Sequence, residues 1–341
     1  MKRLSLLFIP SLAFLTYCTP YHLLDTWDLV GYGSSNPLGA TIGGEGGDIT
    51  IVDNVKDLTT AISDNEPRII YVNGSFNLTS RLKIGSNKSL IGMGDNASFN
   101  NSGISIASAS NVIIRNFKIS YVYGNDGITI ENSTRVWIDH NEFASDLSHG
   151  PDYYDGQLDI VRASDWITVS WNYFHDHWKS SLVGNSDTLR AVDQGHLHIT
   201  YHHNHWKNIG TRGPAGRFGH LHVYNNYYEN YLYQAIHSRS DNQVLVEGNV
   251  FAGNTSEALS TYGLVIPEDS PNTCTCGDEE LDGFANLGAE NDFGPARINI
   301  TRTGNFTKVG YDYTLTPVDM VKSAVLAGAG VGKITHEGSV C

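Results

Sequence analysis

Positive charge is scarce in this chain: 22 Lys and Arg stand against 36 Asp and Glu, a net charge of −14. That balance argues against nucleic acid and anionic membranes as partners. It permits an acidic substrate only where the few basic residues are gathered or a cation bridges the charges. Long apolar runs are equally scarce. The only candidate is the start, MKRLSLLFIPSLAFLTYC, where Lys2 and Arg3 precede a short apolar stretch. It is too short to span a bilayer and reads as a secretory signal peptide over residues 1–18. A secreted, extracellular protein follows, with no membrane contact after cleavage. Cysteine is limited to four positions, with Cys18 at the expected cleavage point. Cys274 and Cys276 are too close to pair comfortably with each other, so a bridge from one of them to Cys341 is expected. Asn-X-Ser/Thr sequons at Asn73, Asn77, Asn87, Asn96, Asn100, Asn132, Asn254, Asn299 and Asn305 suit a glycoprotein of the secretory route.

What the chain does have is a repeat. NVIIRNF, RVWIDHNEF, WITVSWNYF, LHITYHHNHW, HLHVYNNYY and QVLVEGNVF are each a short β-branched run ending in Asn, with an aromatic just after it. The aligned asparagines are Asn116, Asn141, Asn172, Asn204, Asn226 and Asn249, spaced 25, 31, 32, 22 and 23 residues apart. A period in the twenties, one strand motif per repeat, is the pattern of a solenoid. Stacked coils bury a continuous core that no single coil could close. They also place identical residues one above another at strand spacing, so the asparagines can form a ladder and occupy left-handed bends. Intervals of 22 and 23 leave too little room for a four-stranded propeller blade. The expected fold is all-β: a single-domain right-handed parallel β-helix over residues 19–341, with an N-terminal helical cap. VKDLTTAISDN supplies that cap helix and RIIYV the first apolar strand. PVDMVKSAVLAGAG is a second short helix, expected across the far end.

Two carboxylates stand four apart in YYDGQLDIV. On a regular strand Asp155 and Asp159 would lie about 13 Å apart, so a bend at Gly156 is needed for them to converge. One coil earlier, GNDGITI places Asp126 at the start of a strand. Residues one turn apart become lateral neighbours, so the three carboxylates can meet. They cannot all stay ionised together without a cation, and hard oxygen donors select Ca²⁺. Lys179 in HDHWKSSLVGNSD, with Arg212 and Arg217 in TRGPAGRFGH, falls in the next coils. Together they suggest a groove with a cation at one end and fixed positive charge at the other, suited to a polyanion.

The segments VWIDHNEF, DGQLDIVRASDWITVSWNYFHDHWKSSLVGNSD and RGPAGRFGHLHVYNNYYEN closely resemble the pectate lyases of polysaccharide lyase family 1, and GATIGGEGG and RIIYVNGSF resemble that family's opening. The resemblance implies that Asp126, Asp155 and Asp159 bind calcium and that Arg212, the first Arg of R-x-P-x-x-R, is the catalytic base. It implies that Arg217 and Lys179 bind substrate, and that Asp139 and His140 of VWIDH are internal hydrogen-bonding residues. The implied reaction is β-elimination in polygalacturonate; a monomer is expected, since a capped β-helix leaves no open edge that demands a partner. Calcium and two cationic neighbours would lower the pKa of Arg212 so that part of it is neutral.

A pectin lyase would lack the calcium carboxylates, and a polygalacturonase would need a further Asp cluster. The pairs His175/His177, His196/His198, His203/His205 and His220/His222 allow a zinc reading, against which stands their position in stacked coils.

Overall fold

The computed structural model describes residues 29–266, 269 and 278–334. The expected signal peptide and all four cysteines lie outside the described residues.

Each coil contributes short strands to three parallel ladders. The first face runs from Asp48–Val52 through Arg68–Val72, Lys88–Gly92, Ser110–Arg115, Thr134–Asp139, Asp165–Ser170, His198–His202, His220–Tyr224 and Gln243–Glu247 to Phe284–Leu287. The second includes Glu142–Ala144, Tyr173–Lys179 and His205–Thr211. The third includes Ile128–Glu131, Leu158–Val161, Leu182–Val183 and Ala215–Arg217. The long strand Tyr227–Arg239 belongs to the second face at its start and to the third at its end. The architecture is the expected right-handed parallel β-helix, the hand that parallel crossovers take.

Inside, aromatic rings from successive coils lie face to face. Phe143 stacks on Phe174 at 4.8 Å, Phe174 on Trp206 at 4.2 Å, and Tyr228 on Phe251 at 4.4 Å between centroids. These rings, with buried Val, Ile and Leu, form one continuous core. Such pairs add roughly 0.5–1.5 kcal/mol each beyond the area they bury.

The asparagine ladder is present, shifted at its start. Asn141, Asn172, Asn204, Asn226 and Asn249 pass side-chain hydrogen bonds of 2.9–3.1 Å from coil to coil. Asn291 extends the chain after a 42-residue interval. Asn116 is not a member: Asn141 bonds the backbone N–H of Phe117, one residue on. Nor do the ladder asparagines take the left-handed bends. Those fall one residue earlier, at Asn116, His140, Trp171, His203, Asn225 and Gly248, with φ between 50° and 66°. The ladder residue needs its amide facing its neighbours, so the turn itself is made just before it.

Helix Val55–Ile62 begins at Asn54, whose side chain accepts the Asp57 N–H at 2.9 Å, and it buries Leu58 and Ile62 in the first coils. It is the expected cap. Helix Val318–Gly328 does not cross the far end. Its Val321 and Val325 pack on Tyr227 and Val250 along the flank. The chain then runs back toward earlier coils: Gly330 N–H donates to Trp171 O and Gly332 N–H to Asn116 Oδ1, both at 2.8 Å. An apolar stripe with i, i+4 spacing fits a flat flank. Among the described residues no helix is long and apolar enough to cross a membrane. Asn73, Asn77, Asn96, Asn132, Asn254, Asn299 and Asn305 are exposed, while Asn87 and Asn100 are partly buried.

Candidate active site

The expected site residues gather where the second face turns into the third. Register explains why. Gly127 N–H donates to Gly156 O, Gln157 N–H to Ser180 O and Ser181 N–H to Arg212 O, at 2.8–3.0 Å. Lys179 pairs with Thr211 on the next coil. Asp126, Asp155, Lys179 and Arg212 therefore occupy successive coils at one corner, and Arg217 ends the adjoining third-face strand.

Asp126 and Asp159 converge on Gly156. The Gly156 N–H donates to Asp126 Oδ1 at 3.0 Å, and the Leu182 N–H donates to Asp159 Oδ1 at 3.0 Å. The glycine is needed for space: its φ is not in the left-handed region, but a Cβ there would collide with the Asp159 carboxylate and sit 3.0 Å from Asp126 Oδ1. The Thr129 hydroxyl donates to Asp126 Oδ2 and is itself held by Arg81 Nη2 at 2.7 Å. Burial, and the charge of Asp155, raise the Asp126 carboxyl above its ordinary pKa. Burial, then the charge of Asp126, raise Asp159 well above its own, with Arg212 opposing. Hard oxygens from half-buried Asp126 and buried Asp159, mutually repelling, fit a divalent cation such as calcium. Asp155 stands apart from them. It is exposed and lies 3.6 Å from Lys179 Nζ, and no group of three metal-binding side chains forms among the described residues.

The basic residues are buried and paired. Lys179 Nζ donates to Asp152 Oδ1 at 2.7 Å. Arg217 donates Nη1 to Gly184 O at 2.8 Å and Nε to Glu280 Oε2 at 2.9 Å. Arg212 has left-handed backbone, φ 65°, as do many corner residues of these coils. Its Nε donates to Asp269 Oδ1 at 2.5 Å, and its Nη2 to the Asp269 carbonyl oxygen. Arg239 Nη1 donates to the other oxygen, Asp269 Oδ2, at 2.6 Å, and Arg239 Nε lies 3.4 Å from Glu280 Oε2.

Asp269, Arg239 and Glu280 were not anticipated, and Asp269 opposes the lowering expected at Arg212. Burial pushes the Arg212 guanidinium down, but Asp269 and then Asp159 push it up, and the net direction is up. The sequence reading counted cationic neighbours and lacked the carboxylate. Burial also pushes Asp269 up, but Arg239 and Arg212 outweigh it and hold the carboxyl well below its ordinary range. Arg239, fully buried, falls to about 10.

Asp139 and His140 have the expected internal role. Asp139 is buried, accepting from Arg115 Nε at 2.7 Å and Ser170 Oγ at 2.6 Å, with His140 Nδ1 2.6 Å away. The paired histidines act as separate residues. Asp176, at φ 49°, breaks the strand alternation between His175 and His177. His175 contacts Asp176, whereas His177 contacts Ser145 and the Asp155 carbonyl. His198 stacks on His220 at 5.3 Å, in keeping with stacked coils.

A family model described as pectate lyase matches residues 22–334. Pectate lyase A of Emericella nidulans is 42% identical over 303 residues, covering 88% of this chain and 85% of that protein. Pectate lyase A of Aspergillus niger is 41% identical over 303 residues, covering 88% and 86%. Among solved structures, a Bacillus sp. N165 pectate lyase in complex with trigalacturonate aligns with a TM-score of 0.75 at 32% identity, covering 89% of this chain and 99% of that one. Pectate lyase II of Xanthomonas campestris aligns at 0.71 with 28% identity, covering 89% and 98%. A coiled fold that carries its carboxylates and arginines at one corner, and matches these proteins along nearly its whole length, belongs to the pectate lyase family.

Proposed function

We propose that this chain is a secreted, calcium-dependent pectate lyase that cleaves de-esterified polygalacturonate by β-elimination, leaving 4,5-unsaturated oligogalacturonides. The observation that carries this reading is the stack of Asp126, Asp159, Lys179 and Arg212 on successive coils, with Arg217 beside it. The trigalacturonate bound by the Bacillus relative supports the substrate class.

Asp126 and Asp159 would hold the calcium, with Asp155 joining once it leaves Lys179. Calcium held there would supply positive charge that acidifies the C–H next to a uronate carboxylate. Lys179 and Arg217 exchange Asp152 and Glu280 for uronate carboxylates and fix the register of the sugar chain. Arg212, as neutral guanidine, takes the proton from C5. The electron pair forms the C4–C5 double bond as the 4-O glycosidic bond breaks. Activity rises toward alkaline pH, since only the neutral fraction accepts a proton.

The test is the ultraviolet absorbance of the unsaturated product on polygalacturonate, with calcium and with a chelator. Absorbance rises only with calcium. Arg212→Lys keeps the charge but changes reach and proton affinity, and its turnover falls by several orders of magnitude while substrate still binds. Near-normal turnover in that variant overturns the assignment of the base. Residues 19–341 act as one monomeric domain, tested by sedimentation, and the signal peptide ends before Tyr21, tested by N-terminal sequencing of secreted protein. At least one exposed sequon carries glycan in a eukaryotic host, seen as mass lost on glycosidase treatment.

A further inference from the structure

Arg212 is one end of a buried run of alternating charge, Arg212–Asp269–Arg239–Glu280–Arg217. Its links are ion pairs of 2.5, 2.6, 3.4 and 2.5 Å. Arg239 lies directly over Arg217 in the coil register. Asp269 is the centre of this run, clamped on both oxygens by different arginines and further fixed by the Thr211 hydroxyl at 3.1 Å. It is 1% exposed, so water does not compete for it. The residue that makes two contacts to Arg212 is thus itself immobilised by a third coil.

We propose that Asp269 is a positioning residue for Arg212: it engages Nε and Nη2, leaves Nη1 as the nitrogen that meets the substrate, and is held in place by Arg239. This rests on the reading of Arg212 as the base. The guanidinium sits at the end of a long side chain with several rotatable bonds. Fixing two of its three nitrogens selects one, and catalysis that depends on an aligned proton transfer is sensitive to such aim. Arg212 is also surrounded by charge from several elements: Asp269, Asp159, Asp155 and Arg239, with the Tyr231 hydroxyl donating to the neighbouring Thr211 carbonyl. Asp269 is the one that contacts the guanidinium directly.

The experiment compares kcat and KM on polygalacturonate for Asp269→Asn, Arg212→Lys and the double variant, each checked for cooperative melting. Asp269→Asn is expected to lower kcat at least about tenfold with KM within about twofold, since Lys179 and Arg217 still bind the chain. In the Arg212→Lys background the same change is expected to have no further effect on kcat. Wild-type kcat in Asp269→Asn, or a full additional loss in the Arg212→Lys background, overturns the positioning role. Arg212→Lys with near-normal turnover instead overturns the base reading beneath it. Asp269→Asn leaves two arginines facing each other, so a charge-balanced pair, Asp269→Asn/Arg239→Gln, is measured as well. It is expected to fold and to show the same loss of kcat, and unimpaired kcat in that folded pair refutes the proposal.

Discussion

Asn204→Ala removes a rung from the middle of the ladder. Asn204 donates its Nδ2 to Val169 O and to Asn226 Oδ1, both at 2.9 Å, and its Oδ1 accepts from the Asn172 N–H and Nδ2, both at 3.0 Å. Asn172, Asn204 and Asn226 are all fully buried. Truncation strands the Asn172 N–H outright and weakens three further groups. A stranded buried donor costs about 1–3 kcal/mol, and each lost bond about 1 kcal/mol where a second partner remains. The expected loss is about 4–6 kcal/mol. Asn291→Ala is the matched control. Asn291 also accepts from the preceding rung at 2.9 and 3.1 Å and donates to Val246 O and Ala289 O at 3.1 Å, but it is only partly buried. Asn249 loses its N–H partner too, but water reaches Asn291 itself, so a smaller loss than at Asn204 is expected. Urea unfolding of the two variants measures the difference. Equal losses below about 1 kcal/mol would refute the idea that desolvation, rather than bond count, makes the ladder stabilising.

Asp159→Asn is expected to weaken calcium binding at least about tenfold, read by calorimetry rather than turnover, because a carboxylate is a far better hard ligand than an amide; unchanged affinity removes Asp159 from the set. Lys179→Ala should raise KM by roughly 10- to 100-fold, the worth of a charge-assisted hydrogen bond, and an unaltered KM would show that Lys179 serves only Asp152. Stability should fall as pH drops from about 6.5 to about 4. Burial lowers His203 and His237 to about 4, so the unfolded chain takes up their protons first, and each contributes up to roughly 3 kcal/mol across that window. Thermal melts of His237→Gln should show a shallower acid slope, and an identical slope would count against the burial argument.

The coils were legible because their signal is periodic: β-branched runs, an asparagine and an aromatic recur along 116–249. Phase was harder to read. Asn116 matches the others in letters but sits one residue ahead of the ladder, because asparagine also suits the left-handed position just before a rung, where the chain places Asn116 and Asn225. Lys179, Arg212 and Arg217 were placed correctly at one corner because the repeat carries register with it. Asp269 and Glu280 were invisible for the opposite reason: they follow the last clear repeat, and nothing in their local sequence points back 57 or 63 residues to their arginine partners. Asp155 was grouped with Asp126 and Asp159 by spacing and by the family resemblance, neither of which shows that Lys179 lies 3.6 Å from it.

The ladder intervals of 22 and 23 residues are interrupted by 31, 32 and 42. Each of the three longer intervals holds an excursion next to the third face: 145–157 before Leu158–Val161, 184–197 after Leu182–Val183, and, among the described residues, 261–266, 269 and 278–283 after Glu257–Ser260. These excursions carry Asp152 and Asp155, the Gly184 carbonyl that Arg217 bonds, and Asp269 with Glu280. The rungs on either side remain in contact across every one of them. Sequence length can therefore vary beside the corner that gathers Lys179, Arg212 and Arg217 at a loop-closure cost of only about 0.6 kcal/mol per doubling, while a residue added within a rung would turn the side chains beyond it to the wrong face. Descent with insertion can rework the reactive edge of such a molecule and inherit its interior unchanged.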